Sequence, residues 1–333
     1  MNNPTVSVLE ERIMALEKGA AAVAFCSGQA ATTAILFALA QPNAHFVFSN
    51  QIFGGTTAVT RKILEPWGCT VTSVDPTADA IAAAIQDNTV GVWVETLANP
   101  SCTVPNLKAV SEVCKTKDVP FIVDNTWGCG GYICQPIDHG ADIVMHSTTK
   151  WIGGHGTFIG GATEKQHLVY VFTTWFFTMD GYDPSPFSAF QALQGLETLS
   201  LRVQRSCDTA LELAKWLEVH PKIKAVHYAG LESHSCHEDA KATLQNGYGA
   251  VLSFETHDVQ SAWGFLDKVT IVSHLANIGD AKTVAINCWT TTHGSLPEAS
   301  KYAAGVTPEL IRLSVGLESL ADLKADIEQA LNS

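Results

Sequence analysis

Between residues 44 and 146 the chain alternates short β-branched runs with helix-forming stretches, and this alternation restricts the fold more than any other feature. Strands are expected at residues 44–48, 69–74, 90–95, 120–124 and 142–146, and helices at 28–39, 56–64, 77–85 and 107–115. A helix between two strands supplies the crossover that parallel pairing requires, so the pattern predicts βαβ units and a mainly parallel sheet. Leu9, Ile13 and Leu16 recur at helical spacing and predict an opening helix, capped by Thr5 or Ser7. The pattern changes after about Gly161. There one long helix is expected over 187–217, strands at 224–228, 250–254, 284–287 and 311–315, and a terminal helix over 320–331. The reading is an α/β chain with a residual N-terminal helix (1–20), a large mainly parallel-sheet domain (21–185), and a connecting helix with a smaller C-terminal α+β domain (186–333).

Composition narrows the function classes. Of 333 residues, 46% are hydrophobic and 16% charged, enough apolar material for a sizeable core. The formal charge of −13 argues against a nucleic-acid or anionic-membrane partner, since both need a basic face. The nine cysteines are odd in number, scattered and without a CxxC pair, and no signal-peptide pattern is present, so reduced thiols in a cytoplasmic protein are expected. The apolar stretch 168–179 is shorter than the roughly 18 residues a membrane helix needs.

Three segments carry chemistry. Ser27-Gly28-Gln29-Ala30-Ala31 stands where a helix begins, and free N–H groups at a helix N-terminus bind anions. Asp124 ends an apolar strand, at the sheet edge where ligands of parallel α/β folds bind. His146-Ser147-Thr148-Thr149-Lys150 ends the next strand, ahead of Gly153-Gly154-His155-Gly156, and a strand-end amine suits a Schiff-base lysine. Taken singly, these segments also read as a capped helix start, a loop cap and a solvated lysine beside a glycine-rich turn. Together they complement one another. A phosphate nest, an acid for a ring nitrogen and a lysine for an aldehyde are what pyridoxal phosphate requires. Arg312, inside the apolar strand Ile311-Arg312-Leu313-Ser314-Val315, adds a clamp for a substrate carboxylate. The densest His run, Ser233-His234-Ser235-Cys236-His237-Glu238, has neither HExxH nor CxxC spacing, so it reads as a surface loop before a helix and no metal is expected.

These blocks, with Glu95-Thr96-Leu97-Ala98-Asn99-Pro100, Leu193-Gln194-Gly195-Leu196-Glu197-Thr198, Ser273 through Asp280 and Thr291-Thr292-His293, run in order along the whole chain. The chain resembles the Cys/Met-metabolism family of pyridoxal-phosphate enzymes, of aminotransferase-like fold type I, and within it the sulfhydrylases most. The resemblance implies that Lys150 carries the cofactor and shuttles protons, and that Asp124 partners the pyridine nitrogen. It implies that Gly28 and Gln29 offer backbone N–H groups to the phosphate, helped by Ser147 and Thr149. Asn99 would meet the cofactor's phenolic oxygen, Phe53 would stack on its ring, and Arg312 would clamp the substrate carboxylate beside Asn277. The implied activity is γ-substitution on O-acetyl-L-homoserine, with sulfide giving L-homocysteine and acetate. Alternatives are a carbon or nitrogen nucleophile, a cystathionine synthase or γ-lyase, or an impaired homologue acting as a binding subunit. The implied assembly is a homodimer or homotetramer with shared sites.

The chain departs from the family pattern in places. Phe53 stands where the family has Tyr, which keeps the stacking area and loses the hydroxyl. Cys288-Trp289 replaces the usual run before Thr-Thr-His, which reads either as bulk from Trp289 at the substrate mouth that favours an organic nucleophile over sulfide, or as a drifted core strand. The family's longer N-terminal arm, with a Tyr and an Arg that reach a neighbour's phosphate, has no counterpart before Asn3-Pro4-Thr5. The segment from Gly161 to Pro184, with Trp175-Phe176-Phe177, is shorter than in sulfhydrylases. These two differences imply weak cofactor binding, an incomplete chain or a paralogue with a different role.

Overall fold

The computed structural model describes residues 3–165 and 183–332, so the 168–179 stretch and Trp175-Phe176-Phe177 lie outside the described residues. The strands are β1 (Ala21–Phe25), β2 (His45–Ser49), β3 (Thr70–Val74), β4 (Thr89–Glu95), β5 (Phe121–Asp124), β6 (Ile143–His146), β7 (Gly161–Lys165), β8 (Ile223–His227), β9 (Val251–Thr256), β10 (Ser273–His274), β11 (Val284–Asn287) and β12 (Leu310–Ser314). The α-helices are α1 (Pro4–Glu17), α2 (Gly28–Leu39), α3 (Gly54–Val59), α4 (Ala78–Ala84), α5 (Leu107–Thr116), α6 (Pro186–Glu197), α7 (Leu199–Glu218), α8 (His237–Thr243), α9 (Val259–Lys268), α10 (Glu298–Ala303) and α11 (Leu320–Leu331).

The first sheet has the order β1-β7-β6-β5-β4-β2-β3. Its run from β6 to β3 is parallel, and β7 enters antiparallel between β6 and β1. Strands β2, β5 and β6 are buried along their whole length, as a sheet covered on both faces requires. The second sheet, β10-β11-β12-β9-β8, is antiparallel except for the β10–β11 pair. All nine cysteines are free thiols, and no described helix is long and apolar enough to cross a membrane.

Three local expectations are corrected. The cap of α1 is Asn3, whose side chain accepts from Thr5 N–H at 3.0 Å, because the helix already begins at Pro4. The helix expected over 56–64 starts earlier, at Gly54, and passes into a π-helical stretch over Thr60–Leu64. The single helix expected over 187–217 is two helices meeting at Thr198, whose φ of −114° leaves the helical range. Arg202 secures the break: its Nη2 donates to Gly195 O at 2.6 Å and its Nε to Thr198 Oγ1 at 3.0 Å. A side chain on Gly195 would strike the backbone of Ile152 and Gly153, so the glycine lets α6 lie against the loop after Lys150. Sequence periodicity runs across the junction because both helices bury one apolar stripe, which hid the break. Strands β1 and β7, which sequence reading did not anticipate, are short and lack a regular βαβ spacing.

Asp326 on α11 anchors the segment that leads into β10. Its carboxylate accepts from Thr270 N (2.8 Å), Thr270 Oγ1 (2.7 Å), Ile271 N (2.9 Å) and Val272 N (2.9 Å). Burial opposes its ionisation, but these bonds outweigh that and hold the carboxyl below its ordinary value. A group with a lowered folded pKa stabilises above its unfolded pKa and loses that stabilisation as pH falls through the folded value. Asp326→Ala is therefore expected to cost roughly 2–4 kcal/mol at pH 7 and less under acid, read by urea denaturation across pH.

Candidate active site

The parallel strands end on one edge, and the chemistry-bearing residues sit just past those ends. β4 ends in Glu95, β5 in Asp124 and β6 in His146, with Lys150 four residues beyond. The second sheet adds Arg312 from β12 and Asn277 from the loop after β10. Glu95, Asp124, Lys150, Asn277 and Arg312 line a cavity of about 450 Å³ with Gly28, Gln29, Phe53, Asn99, Ser147 and Thr149, while His146 stands behind it. Every site residue expected from sequence lines this one cavity.

One wall is cationic. Lys150 Nζ donates to Asn277 Oδ1 at 2.7 Å. Arg312 Nη2 donates to the Asn277 carbonyl at 3.1 Å, and Nη1 to Asn99 Oδ1 at 2.9 Å. Burial, then the Arg312 charge, push the Lys150 amine down to about 8. Arg312 is 3% exposed, and its Nε has no partner among the described residues. With five N–H donors and two engaged, it retains capacity for a bidentate carboxylate. His293 lies behind it, joined to Thr292 Oγ1 at 2.9 Å, and burial together with Arg312 and Lys301 lowers its imidazole to about 4. It is therefore neutral at pH 7.

The other wall is acidic. Asp124 Oδ1 accepts from Thr126 N at 2.9 Å. Burial raises the Asp124 carboxyl, against the lowering effect of Thr126 and His146. Glu95, opposite Asp124 in the β4–β5 register, accepts from Phe53 N at 2.6 Å. Burial and the Asp124 charge push the Glu95 carboxyl well above the usual carboxylate range, against the lowering effect of the Phe53 N–H. Thr126 Oγ1 accepts from Ser147 N at 2.9 Å and so ties the two strand ends together.

The floor is the start of α2. Ser27 caps it by accepting from Ala30 N at 3.0 Å, and the first N–H groups of a helix have no partner within it. A Cβ on Gly28 would come within 2.8 Å of Ser147 Cβ, so only glycine lets α2 and the Lys150 loop approach this closely. The Thr149 hydroxyl exchanges hydrogen bonds with Gly160, at 3.0 and 3.2 Å.

Pyridoxal phosphate fits this donor set. Gly28 and Gln29 offer amides to the phosphate, Asp124 an acid to the ring nitrogen and Lys150 an amine to the aldehyde. The orphaned Gln29 Oε1 and Arg312 Nε show that polar groups of the cavity are left unpaired without a ligand. Sequence reading assigned no role to Glu95, Thr126, Trp127 or Thr292, which also line the cavity. Glu95 carries the same signal as Asp124, a carboxylate ending an apolar strand. Trp289 is corrected: it does not line the cavity but packs on Tyr302, with ring centroids 5.2 Å apart, and beneath Lys301. The His run at 233–238 is engaged by backbone: His237 Nδ1 lies 2.9 Å from Ala229 O, and Cys236 N donates to His234 Nδ1 at 3.3 Å.

The chain matches the family described as Cys/Met metabolism PLP-dependent enzyme over residues 1–332. It is 43% identical to homocysteine synthase of Schizosaccharomyces pombe, across 99% of this chain and 86% of that protein. It is 38% identical to O-acetyl-L-homoserine sulfhydrylase 1 of Thermus thermophilus, with the same coverage of 99% and 86%. A solved structure of a putative O-acetylhomoserine (thiol)-lyase from Campylobacter jejuni, with N'-pyridoxyl-lysine-5'-monophosphate, superposes with a TM-score of 0.96 at 32% identity, over 99% of this chain and 87% of that one.

In the apoprotein, the Lys150 amine is expected to react with cyanate with a midpoint near the value of about 8 given by its surroundings. Arg312→Gln moves that midpoint upward, because one of the two lowering effects is removed. Peptide mass spectrometry of the modified lysine against pH reads both.

Proposed function

This chain belongs to the Cys/Met metabolism PLP-dependent enzyme family, with fold type I, and from that premise we propose that it converts O-acetyl-L-homoserine and sulfide to L-homocysteine and acetate. One observation supports this most: the first sheet's Lys150 and Asp124 and the second sheet's Arg312 line a single cleft sized for an amino-acid substrate beside a cofactor. The relatives named above as homocysteine synthase and O-acetylhomoserine sulfhydrylase support the choice of substrate. The reading with an organic nucleophile rested on bulk from Trp289, and that side chain packs away from the cleft.

When bound, pyridoxal phosphate supplies an electron sink for the pair left at the substrate Cα. The protein supplies the rest. Arg312 binds the substrate carboxylate through its spare N–H groups, while Asn99 and Asn277 hold its guanidinium plane. That contact fixes which Cα bond faces Lys150. The Lys150 amine, pushed down to about 8, surrenders its proton near neutral pH far more readily than an ordinary lysine, so it serves as both base and acid at Cα and the carbons beyond. Asp124 holds the proton at the ring nitrogen. Phe53 offers a ring face but no hydroxyl, which leaves Lys150 as the proton carrier of the cleft for departure of the acetate.

We also propose that the enzyme works in the cytoplasm as a homodimer or homotetramer, in keeping with the shared sites the family implies. The division into 21–185 and 186–333 is proposed with it, and the start of α6 at Pro186, leading from one sheet to the other, supports that boundary.

Purified holoenzyme given O-acetyl-L-homoserine and sulfide is expected to release homocysteine and acetate in equal amounts. Lys150→Ala lowers kcat roughly 10³-fold. Arg312→Ala raises KM roughly 10²-fold with a smaller change in kcat. Turnover with cysteine or an organic nucleophile and none with sulfide would sink the sulfide assignment.

A further inference from the structure

Behind the acidic wall lies a second charged cluster, away from the cleft. Glu17 ends α1, His146 ends β6 and Glu164 lies on β7, and none is more than 1% exposed. Their ligand-type atoms all lie within 4.8 Å of one another. His146 Nε2 is 2.6 Å from Glu17 Oε1, and Asn125 Nδ2 donates to the same oxygen at 2.7 Å. Glu17 Oε2 and both oxygens of Glu164 have no hydrogen-bond partner among the described residues. The one imidazole, paired with Glu17, can balance only one of two carboxylates buried this closely, so a proton or a further cation must neutralise the other.

The surroundings favour a proton. The other titratable groups near the cluster are Asp124 from β5, and Cys129 and Cys134 from the loop after it. Glu10, also on α1, turns instead to Ala24 N. β1 and α2, packed on β7, carry no titratable side chain. Burial and then the neighbouring Glu17 push the Glu164 carboxyl well above the usual range. The imidazole and the Asn125 amide already occupy one oxygen of Glu17, which leaves a cation fewer open ligand atoms.

We propose that Glu164 holds a proton at neutral pH and that this leaves Glu17 as the acceptor that positions His146 and Asn125 against Asp124. Asn125 is the next residue after Asp124, and His146 is among the groups that lower the Asp124 carboxyl. Glu17 and Glu164 are thus positioning residues for the acid that meets the cofactor's ring nitrogen. The proposal depends on the cofactor and not on the nucleophile.

The folded chain keeps a proton on Glu164 that the unfolded chain, with an ordinary carboxyl, has lost. Stability therefore falls as pH rises from the ordinary carboxylate range toward the raised value, with a one-proton slope. Thermal unfolding of wild type and Glu164→Gln from pH 5 to 9 reads that slope. The variant is expected to gain on wild type by roughly tenfold in folding constant per pH unit within the window. Fluorescence titration of the apoproteins with pyridoxal phosphate reads the positioning. Glu17→Gln is expected to weaken binding roughly tenfold and to shift the pH profile of the bound cofactor's absorption, and Glu164→Gln to stay within about twofold of wild type. His146→Gln gives the same cofactor readout if Glu17→Gln does not fold. Parallel stability curves for wild type and Glu164→Gln overturn the held proton, as does a stoichiometric metal in wild type that Glu164→Gln loses. Unchanged affinity and pH profile in the Glu17 or His146 variant overturn the positioning role.

Discussion

Arg312 is a buried cation held by neutral oxygens, and the cleft depends on that arrangement. A guanidinium removed from water needs hydrogen bonds on every side it can reach. Asn99 and the Asn277 carbonyl supply two, from opposite sheets. Neither cancels the charge, so it remains available to a carboxylate substrate and acts on the Lys150 amine. Replacing Asn99 with an acid would satisfy Arg312 better and spoil both effects.

The Asn99 bond also joins the two sheets. Asn99 follows β4, Asn277 follows β10 and Arg312 lies within β12. The cleft is therefore the seam between a parallel sheet, whose strand ends present Asp124 and Lys150, and an antiparallel sheet that presents the carboxylate clamp. Charge is segregated across it, with cations on one wall and carboxyls on the other. The start of α2 would hold a cofactor phosphate and Asp124 its ring nitrogen, with the cationic wall left for a substrate carboxylate.

Much of this was legible in the chain. Parallel strands such as β2, β5 and β6 are apolar on both faces and end in turn residues, so their ends were readable to within a residue, and a strand-end Asp or Lys marks itself. Glu95 carried the same mark but sat inside a motif with a better-known member, Asn99. The α6–α7 junction was not legible, since Thr198 interrupts the backbone without interrupting the apolar stripe. Trp289 misled because a position beside a site motif says nothing about which way the side chain turns. β11 and α10 aim it at Tyr302.

The sequence by itself determined the parallel sheet, the family and the cofactor, and named the groups proposed to bind it, because these rest on residue types at short spacings. Only the tertiary structure decided what those groups are like. Lys150 is an amine pushed down to about 8, Glu95 a carboxyl pushed well above its usual range and Glu164 a buried carboxyl beside Glu17. Each of these properties comes from burial and from a charge far away in sequence: Arg312 for Lys150, Asp124 for Glu95 and Glu17 for Glu164. Local patterns name the groups, but the field each one experiences is a sum over neighbours that only folding brings together.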